Sequence, residues 1–345
     1  MGKTNAGNFF EDFRIGQTLV HATPRSVGEG ERALYAALYP TRFALPSAES
    51  FARLCGLPRS PLDELIGFHV AFGKTVPDVS RNAVANLGYA ECRFLRALYP
   101  GDELRTTSEV IGLKQNSSGR SGVVWVRSTA TDAEGRPALT WARWVMVRKR
   151  DPEAPAPETA VPDLAAAVAA EDLVIPQGLD FSAYDFARAG EPWRWGDYEI
   201  GEKIDHIDGY TVQEAEHMLA TRLWQNTSTV HFNARVREDG RLLAYGGHVI
   251  SLARALSFNG LANAQPIVAI NGGAHAAPCF AGDTVYAWSE VLEKAETANP
   301  SIGALRLRLA AVKNVTAEGF PLTLASGKYA PEVLLDLDYW ALIPR

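Results

Sequence analysis

An α+β fold built twice over is what this sequence predicts, and three observations carry the prediction. The first is an internal repeat. Asp12-Phe13-Arg14-Ile15-Gly16 lines up with Asp197-Tyr198-Glu199-Ile200-Gly201 at an offset of 185, and without a gap His21 then meets His206, Val27 meets Val212, Leu38 meets Leu223 and Tyr39 meets Trp224. Gly101-Asp102 and Ser108-Glu109-Val110 return as Gly282-Asp283 and Ser289-Glu290-Val291 at an offset of 181. Two collinear blocks mark two copies of one domain. The second observation is apolar/polar alternation at period two over residues 123–127, 141–147, 284–292 and 305–312, the pattern of half-buried strands. The third is that each copy offers one long apolar helix and no strand–helix–strand alternation, which excludes a parallel sheet.

The elements follow in order within each copy. Ser26-Val27-Gly28-Glu29 and Thr211-Val212-Gln213-Glu214 read as capping boxes, a hydroxyl with Glu three residues on, that open a first helix. Val212, Ala215, Leu219 and Leu223 continue the second of these at helical spacing. A second helix is expected from Gly247 to about Phe258, with Val249, Leu252, Ala253 and Leu256 on a wide apolar face. Its first-copy partner starts near Asp63 and runs through His69 and Phe72. Pro100-Gly101-Asp102 and Ala281-Gly282-Asp283 are turns that feed long strands. Between the copies, Pro152, Pro155, Pro157 and Pro162 give a stiff linker composition, and residues 164–173 read as a short Ala-rich helix. The expected organisation is an N-terminal domain over 1–150, a Pro- and Ala-rich linker over 151–190 and a C-terminal domain over 191–345.

Composition narrows the function. With 34 Lys and Arg against 40 Asp and Glu, the net charge of −6 argues against a nucleic-acid partner. No run approaches the roughly 18 apolar residues of a membrane span, and the start lacks a basic-then-apolar leader, so a cytoplasmic protein without membrane contact is expected. Cys55, Cys92 and Cys279 are odd in number and far apart, and are expected as small buried residues in a reducing compartment rather than as a disulfide framework or zinc site. No GxGxxG, GxxxxGK[ST] or GxSxG run occurs, and no metal or redox cofactor is expected.

The chemistry concentrates in the second copy. Five of the seven histidines lie there, and the polar segment 224–233, which includes Asn226 and His231, follows directly on a helix end. Tyr245-Gly246-Gly247-His248 comes next, at the start of the buried helix, with His248 seventeen residues beyond His231. A helix N-terminus presents free N–H groups and a positive dipole end. Gly247 would let an oxygen that gains negative charge approach closely, its own N–H or that of His248 forming an oxyanion hole. His231 has the intrinsic pKa of a general base. A satisfied loop histidine and an Asn helix cap are the bland counterparts for His231 and Asn226.

These residues resemble the MaoC-like hydratases, which include the R-specific enoyl-CoA hydratases and carry a motif close to Asp-x-Asn-Pro-x-His, then Ala-His-Gly at the head of a central helix. On that pattern His231 takes the place of the catalytic His and Asn226 that of the Asp, while Gly247 and His248 take the helix-head positions. Closer similarity is to the mesaconyl-CoA hydratase family, through residues 72–80, 221–227, 245–251, 255–262 and 335–345. The resemblance implies a tandem hot-dog, each half a curled antiparallel sheet around one long helix, the two sheets joined edge to edge. It also implies an acyl-CoA substrate hydrated at an enoyl thioester, with coenzyme A as part of the substrate, and a homodimer. The first copy lacks a His in its equivalent stretch and is expected to be a substrate wall. His69, without a partner, is expected to be structural, and Asp63 and Glu64 are reserve acids. Arg42, Lys74, Arg222 and Arg254 are candidates for the substrate's free carboxylate. A hot-dog acyl-CoA thioesterase and a non-catalytic acyl-CoA-binding subunit are the competing readings.

Overall fold

A computed structural model describes residues 3–345. In chain order its strands are β1 (Thr18–Ser26), β2 (Ala83–Phe94), β3 (Glu103–Gln115), β4 (Ser121–Thr131), β5 (Pro137–Arg148), β6 (Lys203–Thr211), β7 (Ile267–His275), β8 (Thr284–Glu296), β9 (Ile302–Lys313) and β10 (Val333–Pro344). They form one antiparallel sheet in the order β1-β3-β4-β5-β2-β7-β10-β9-β8-β6. The second five strands retrace the first five in reverse, so the repeat read from the sequence is a pseudo-twofold about the β2–β7 seam. That seam pairs Ala90 with Gly272, Cys92 with Ile270 and Arg93 with Ala269. Each half wraps its sheet around a central helix, Glu64–Thr75 in the first and Gly246–Leu256 in the second. This is the tandem hot-dog.

The central helices are buried on every side, from Leu65 to Thr75 and from Gly247 to Leu256. A helix enclosed by its own sheet and by the opposite half has no solvent face, so even its polar residues, among them His69, Lys74, His248, Ser251 and Arg254, are buried. One core unites both halves, with Phe68 and Phe72 packed into the same cluster as Leu252, Leu256, Leu305 and Tyr339.

The sheet's outer edges are β1 and β6, and both are interrupted by the same irregularity, between His21 and Arg25 and between Asp205 and Gly209. Bulges of this kind blunt an edge against pairing with other chains. The repeated histidines pin these edges. His21 bonds Ser108 Oγ at 2.7 Å and Asp78 Oδ2 at 2.7 Å. His206 bonds Ser289 Oγ at 2.8 Å and the Asn259 carbonyl at 2.7 Å.

Two expectations are corrected. The outer helices run Glu29–Leu38 and Glu214–Leu223, and Ser26 and Thr211 end strands instead of capping them. The first helix is closed by Glu31, whose carboxylate accepts the Gly28 N–H at 2.8 Å. Residues 164–173 form no α-helix; they hold one short turn at Ala170–Asp172. The chain there lies as a strap. Val168 N–H donates to Asn271 Oδ1 at 2.8 Å, Trp340 Nε1 donates to the Val168 carbonyl at 3.0 Å, and Phe181 and Tyr184 cover Val268, Ile302 and Leu342. The three cysteines are free and buried, and among the described residues no helix is long and apolar enough to cross a membrane.

Candidate active site

The polar segment of the second half is shaped by a sharp reversal after its outer helix. Gln225 takes a positive φ of 51°, which turns the chain back so that Asn226 N–H donates to the Thr221 carbonyl at 3.0 Å. Asn226 is 5% exposed, and its Oδ1 accepts the Ser228 N–H at 2.9 Å. That bond fixes the amide: the oxygen is engaged, and the Nδ2 donors have no partner among the described residues. The first half supports the loop from below. A Cβ on Gly73 would run into the Trp224 carbonyl, so only glycine lets the two backbones meet. Lys74 Nζ donates to Gln225 Oε1 and, at 3.1 Å, to Thr23 Oγ1.

His231 ends the short turn Thr229–His231. Its Nδ1 lies 2.8 Å from the Leu243 carbonyl, an acceptor, so Nδ1 carries the proton and donates. Nε2 is left with its lone pair and no partner among the described residues. Burial pushes the imidazole down to about 4, the Leu243 carbonyl pulling weakly the other way, so the ring is neutral at physiological pH. Its face meets Tyr245 edge-on at 5.8 Å between centroids.

Tyr245 also precedes the helix Gly246–Leu256, whose head is built on two glycines. A Cβ on Gly246 would lie 2.5 Å from His275 Cε1, and one on Gly247 would lie 2.6 Å from His69 Cε1. The N–H groups of Gly246 and Gly247 have no hydrogen-bond partner among the described residues, whereas that of His248 donates to the Tyr245 carbonyl at 2.8 Å. The free donors are therefore those of Gly246 and Gly247, and His248 N–H is removed from the expected oxyanion hole.

The remaining histidines separate by the pseudo-twofold. Aligning the central helices pairs Gly67 with Gly246, His69 with His248 and Phe72 with Ser251. His69 stacks on Trp224 of the opposite half at 5.1 Å, and His248 on Tyr39 of the opposite half at 5.2 Å. His69 is not without a partner, as expected from the sequence. Its Nε2 meets Ser251 Oγ at 2.9 Å and its ring backs Gly247, so the first half reaches the head of the second central helix. The position equivalent to Ser251 is Phe72, and His248 accordingly keeps a buried, unpartnered Nε2, with Nδ1 3.1 Å from Tyr39 Oη. His217 lies beside it at 6.5 Å between rings.

A cavity of about 270 Å³ lies away from His231, in the first half, lined by Arg32, Tyr35, Thr41, Asp63 and Ile66 among others. Asp63 caps its helix, Oδ1 accepting the Leu65 N–H at 3.0 Å. Burial raises Asp63 and pushes Glu64 to about 8. Of the cations expected to hold a carboxylate, Arg222 and Arg42 are exposed, and Arg42 stacks on Phe258 at 4.4 Å. Arg254 is buried and donates to the Ala264 carbonyl. Gly73, Tyr89, Arg143 and His275 were not singled out from the sequence, and Tyr245 was expected only as a core residue beside the helix head. Arg143 did leave a signal, a charge on the apolar register of Trp141, Val145 and Val147.

Comparison with known proteins places this arrangement. Residues 2–318 match the family model described as mesaconyl-CoA hydratase. The chain is 68% identical over 343 residues to a mesaconyl-CoA hydratase of Cereibacter sphaeroides, covering 99% of this chain and 100% of that protein. It is 58% identical over 347 residues to a β-methylmalyl-CoA dehydratase of Chloroflexus aurantiacus, covering 99% of each. A crystal structure of a putative MaoC domain protein dehydratase from Chloroflexus aurantiacus superposes with a TM-score of 0.98 at 57% identity, covering 100% of this chain and 99% of that one. A Mycobacterium tuberculosis protein described as a double hotdog fold superposes at 0.77 with 26% identity, covering 98% and 99%.

Proposed function

The chain belongs to the mesaconyl-CoA hydratase family, and from that premise we propose that it is a hydro-lyase adding water reversibly across the double bond of mesaconyl-CoA (2-methylfumaryl-CoA) to give β-methylmalyl-CoA. The observation that carries the chemistry is the pairing of a free acceptor with a free donor at a helix head: His231 Nε2 is a lone pair held in register by Leu243, and Asn226 offers only N–H.

A water between them donates to Nε2 and accepts from Asn226 Nδ2. As its oxygen bonds to the β-carbon, its proton passes to His231 and charge moves to the thioester oxygen. The unpartnered N–H groups of Gly246 and Gly247, at the positive end of the helix, receive that charge. An amide cannot carry a proton near neutral pH, so the same imidazolium returns it to the α-carbon. Coenzyme A enters as part of the substrate, and the scheme needs no other cofactor. His248, wholly buried against Tyr39, belongs to the packing that holds the helix head. A cytoplasmic setting and a homodimer belong to the same proposal, the latter checked by sedimentation.

A second reading has one observation behind it. Glu64 is an acid at the head of a central helix, the placement a hot-dog thioesterase uses, with its carboxyl pushed to about 8. One assay separates the readings. With mesaconyl-CoA, hydration removes the enoyl-thioester absorbance without releasing thiol; hydrolysis releases thiol; an acyl-CoA-binding subunit does neither.

A further inference from the structure

Each half buries one guanidinium at a matching place, and the protein satisfies the two unequally. Strands β5 and β10 align Trp144 with Trp340 and therefore Arg143 with Tyr339, while the central helices align Thr75 with Arg254. In the first half the cation rises from the sheet to the helix: Arg143 Nη2 donates to Thr75 Oγ1 at 2.7 Å. In the second it descends from helix to sheet: Arg254 Nη1 donates to Tyr339 Oη at 3.5 Å. Both lie over a phenylalanine ring, Arg143 at 4.3 Å from Phe72 and Arg254 at 3.8 Å from Phe43.

Their electrostatic surroundings differ. Arg254 is held by the Ala264 carbonyl and by the hydroxyls of Ser257 and Tyr339, and it borders a small void with Asp63 and Glu64, whose carboxyls burial raises against the weaker pull of its charge. Arg143 is 0% exposed and has no carboxylate within ion-pair distance among the described residues. Its partners are two hydroxyls, Thr75 and, at 3.3 Å, Ser80; its Nε is buried without a partner, and Nη1 makes no hydrogen bond to the described residues. Burial pulls it down to about 10, so it is still charged at neutral pH. An unanswered buried charge is costly and persists only where something repays it.

Arg143 stands directly behind the candidate site. Phe72, the ring it covers, meets Tyr245 at 5.9 Å and Tyr89 at 6.1 Å. Tyr89 is its cross-strand neighbour and bonds His275 Nε2 at 3.1 Å, and His275 backs Gly246. We propose that Arg143, buried with unpartnered guanidinium nitrogens, receives the free carboxylate of the acyl group and so selects dicarboxylyl thioesters over plain enoyl thioesters. The assignment rests on the hydratase reading for its substrate. The planar fork matches a carboxylate in two hydrogen bonds.

The test uses matched acyl-CoAs. Calorimetry compares methylsuccinyl-CoA with 2-methylbutyryl-CoA, saturated molecules that differ by carboxylate against methyl. Kinetics compares mesaconyl-CoA with 2-methylcrotonyl-CoA. Arg143→Met is expected to weaken methylsuccinyl-CoA by about 10²-fold, the scale of a charge-assisted pair, and to leave 2-methylbutyryl-CoA unchanged. Mesaconyl-CoA should lose through KM in the same proportion, with 2-methylcrotonyl-CoA unaffected. Equal weakening of both members of a pair, or an intact preference for the carboxylated one, overturns the assignment. If Arg143→Met does not fold, Arg143→Lys decides by the same selectivity, keeping charge without the fork. A wild-type protein that binds methylsuccinyl-CoA selectively yet never hydrates mesaconyl-CoA would remove the hydratase reading and leave the carboxylate site standing.

Discussion

At His231 and Asn226 the proposed division of labour rests on hydrogen-bond inventory. One keeps a lone pair because Leu243 takes its proton-bearing side; the other keeps two donors because Ser228 takes its oxygen. His231→Ala should cost on the order of 10²-fold or more in turnover, the worth of an acid–base group. Asn226→Ala should cost about tenfold, the worth of one hydrogen bond, with binding largely kept. Asn226→Asp places an anion beside an anionic substrate and should raise KM. Steady-state kinetics of the three variants checks the order; near-normal turnover in His231→Ala would pass the role to Asp63 or Glu64. The pH profile is a separate check. With the imidazole protonating at about 4, kcat/KM should stay level from pH 8 down to about 5. An acid limb centred near 6.5, the ordinary imidazole value, would mean that the base is solvated and lies elsewhere. His231 and Asn226 could be singled out from the sequence because they are local to one segment. The contact of His69 with Ser251 and the place of Arg143 behind Phe72 were not legible, because they arise between distant segments through contacts no spacing encodes.

At the scale of elements, two glycines on two first-half helices behave oppositely. Gly30 lies in the outer helix Glu29–Leu38 with nothing within 4 Å of a Cβ. Gly30→Ala should stabilise the protein by about 0.5–1 kcal/mol through helix propensity. Gly73 lies in the central helix against the Trp224 carbonyl, and backbone cannot step aside as a side chain can. Gly73→Ala should destabilise by about 1–3 kcal/mol and, by displacing Gln225 and Asn226, lower turnover as well. Denaturant unfolding and kinetics of the pair test this; a Gly73→Ala protein with unchanged activity would detach the first-half helix from the site. The strands were legible because burial alternates along them, as in β4. The helix starts were not, because Glu31 reaches back to Gly28 in place of Ser26, and the Thr211 hydroxyl bonds that of Thr284 across the sheet edge.

For the whole molecule, the common core makes histidine burial a collective property. Burial lowers His69, His206, His217, His231, His248 and His275, to values from about 3 to about 4 where a value is resolved. Unfolded, each takes a proton near 6.5, so between about 6.5 and 4 the unfolded chain binds more protons. Stability is then full above that window and falls as pH drops through it. Asp63, Glu64 and Glu191, raised by burial, pull the other way but are three against six. Thermal midpoints should therefore decline steadily from pH 7 to pH 5, and a flat or rising series would contradict the burial of these rings. The repeat itself was visible in the sequence because the edge-pinning pairs His21–Ser108 and His206–Ser289 recur in each copy. The pseudo-twofold has a further consequence, one of inheritance. In a symmetric dimer of single-copy chains, one codon would write residue 143 and its counterpart alike, and every gain at one site would be imposed on the other. Once both halves share a gene, Arg143 and Tyr339, or Phe72 and Ser251, mutate independently, and a chain can refine one reaction chamber while its twin is released to serve as scaffold.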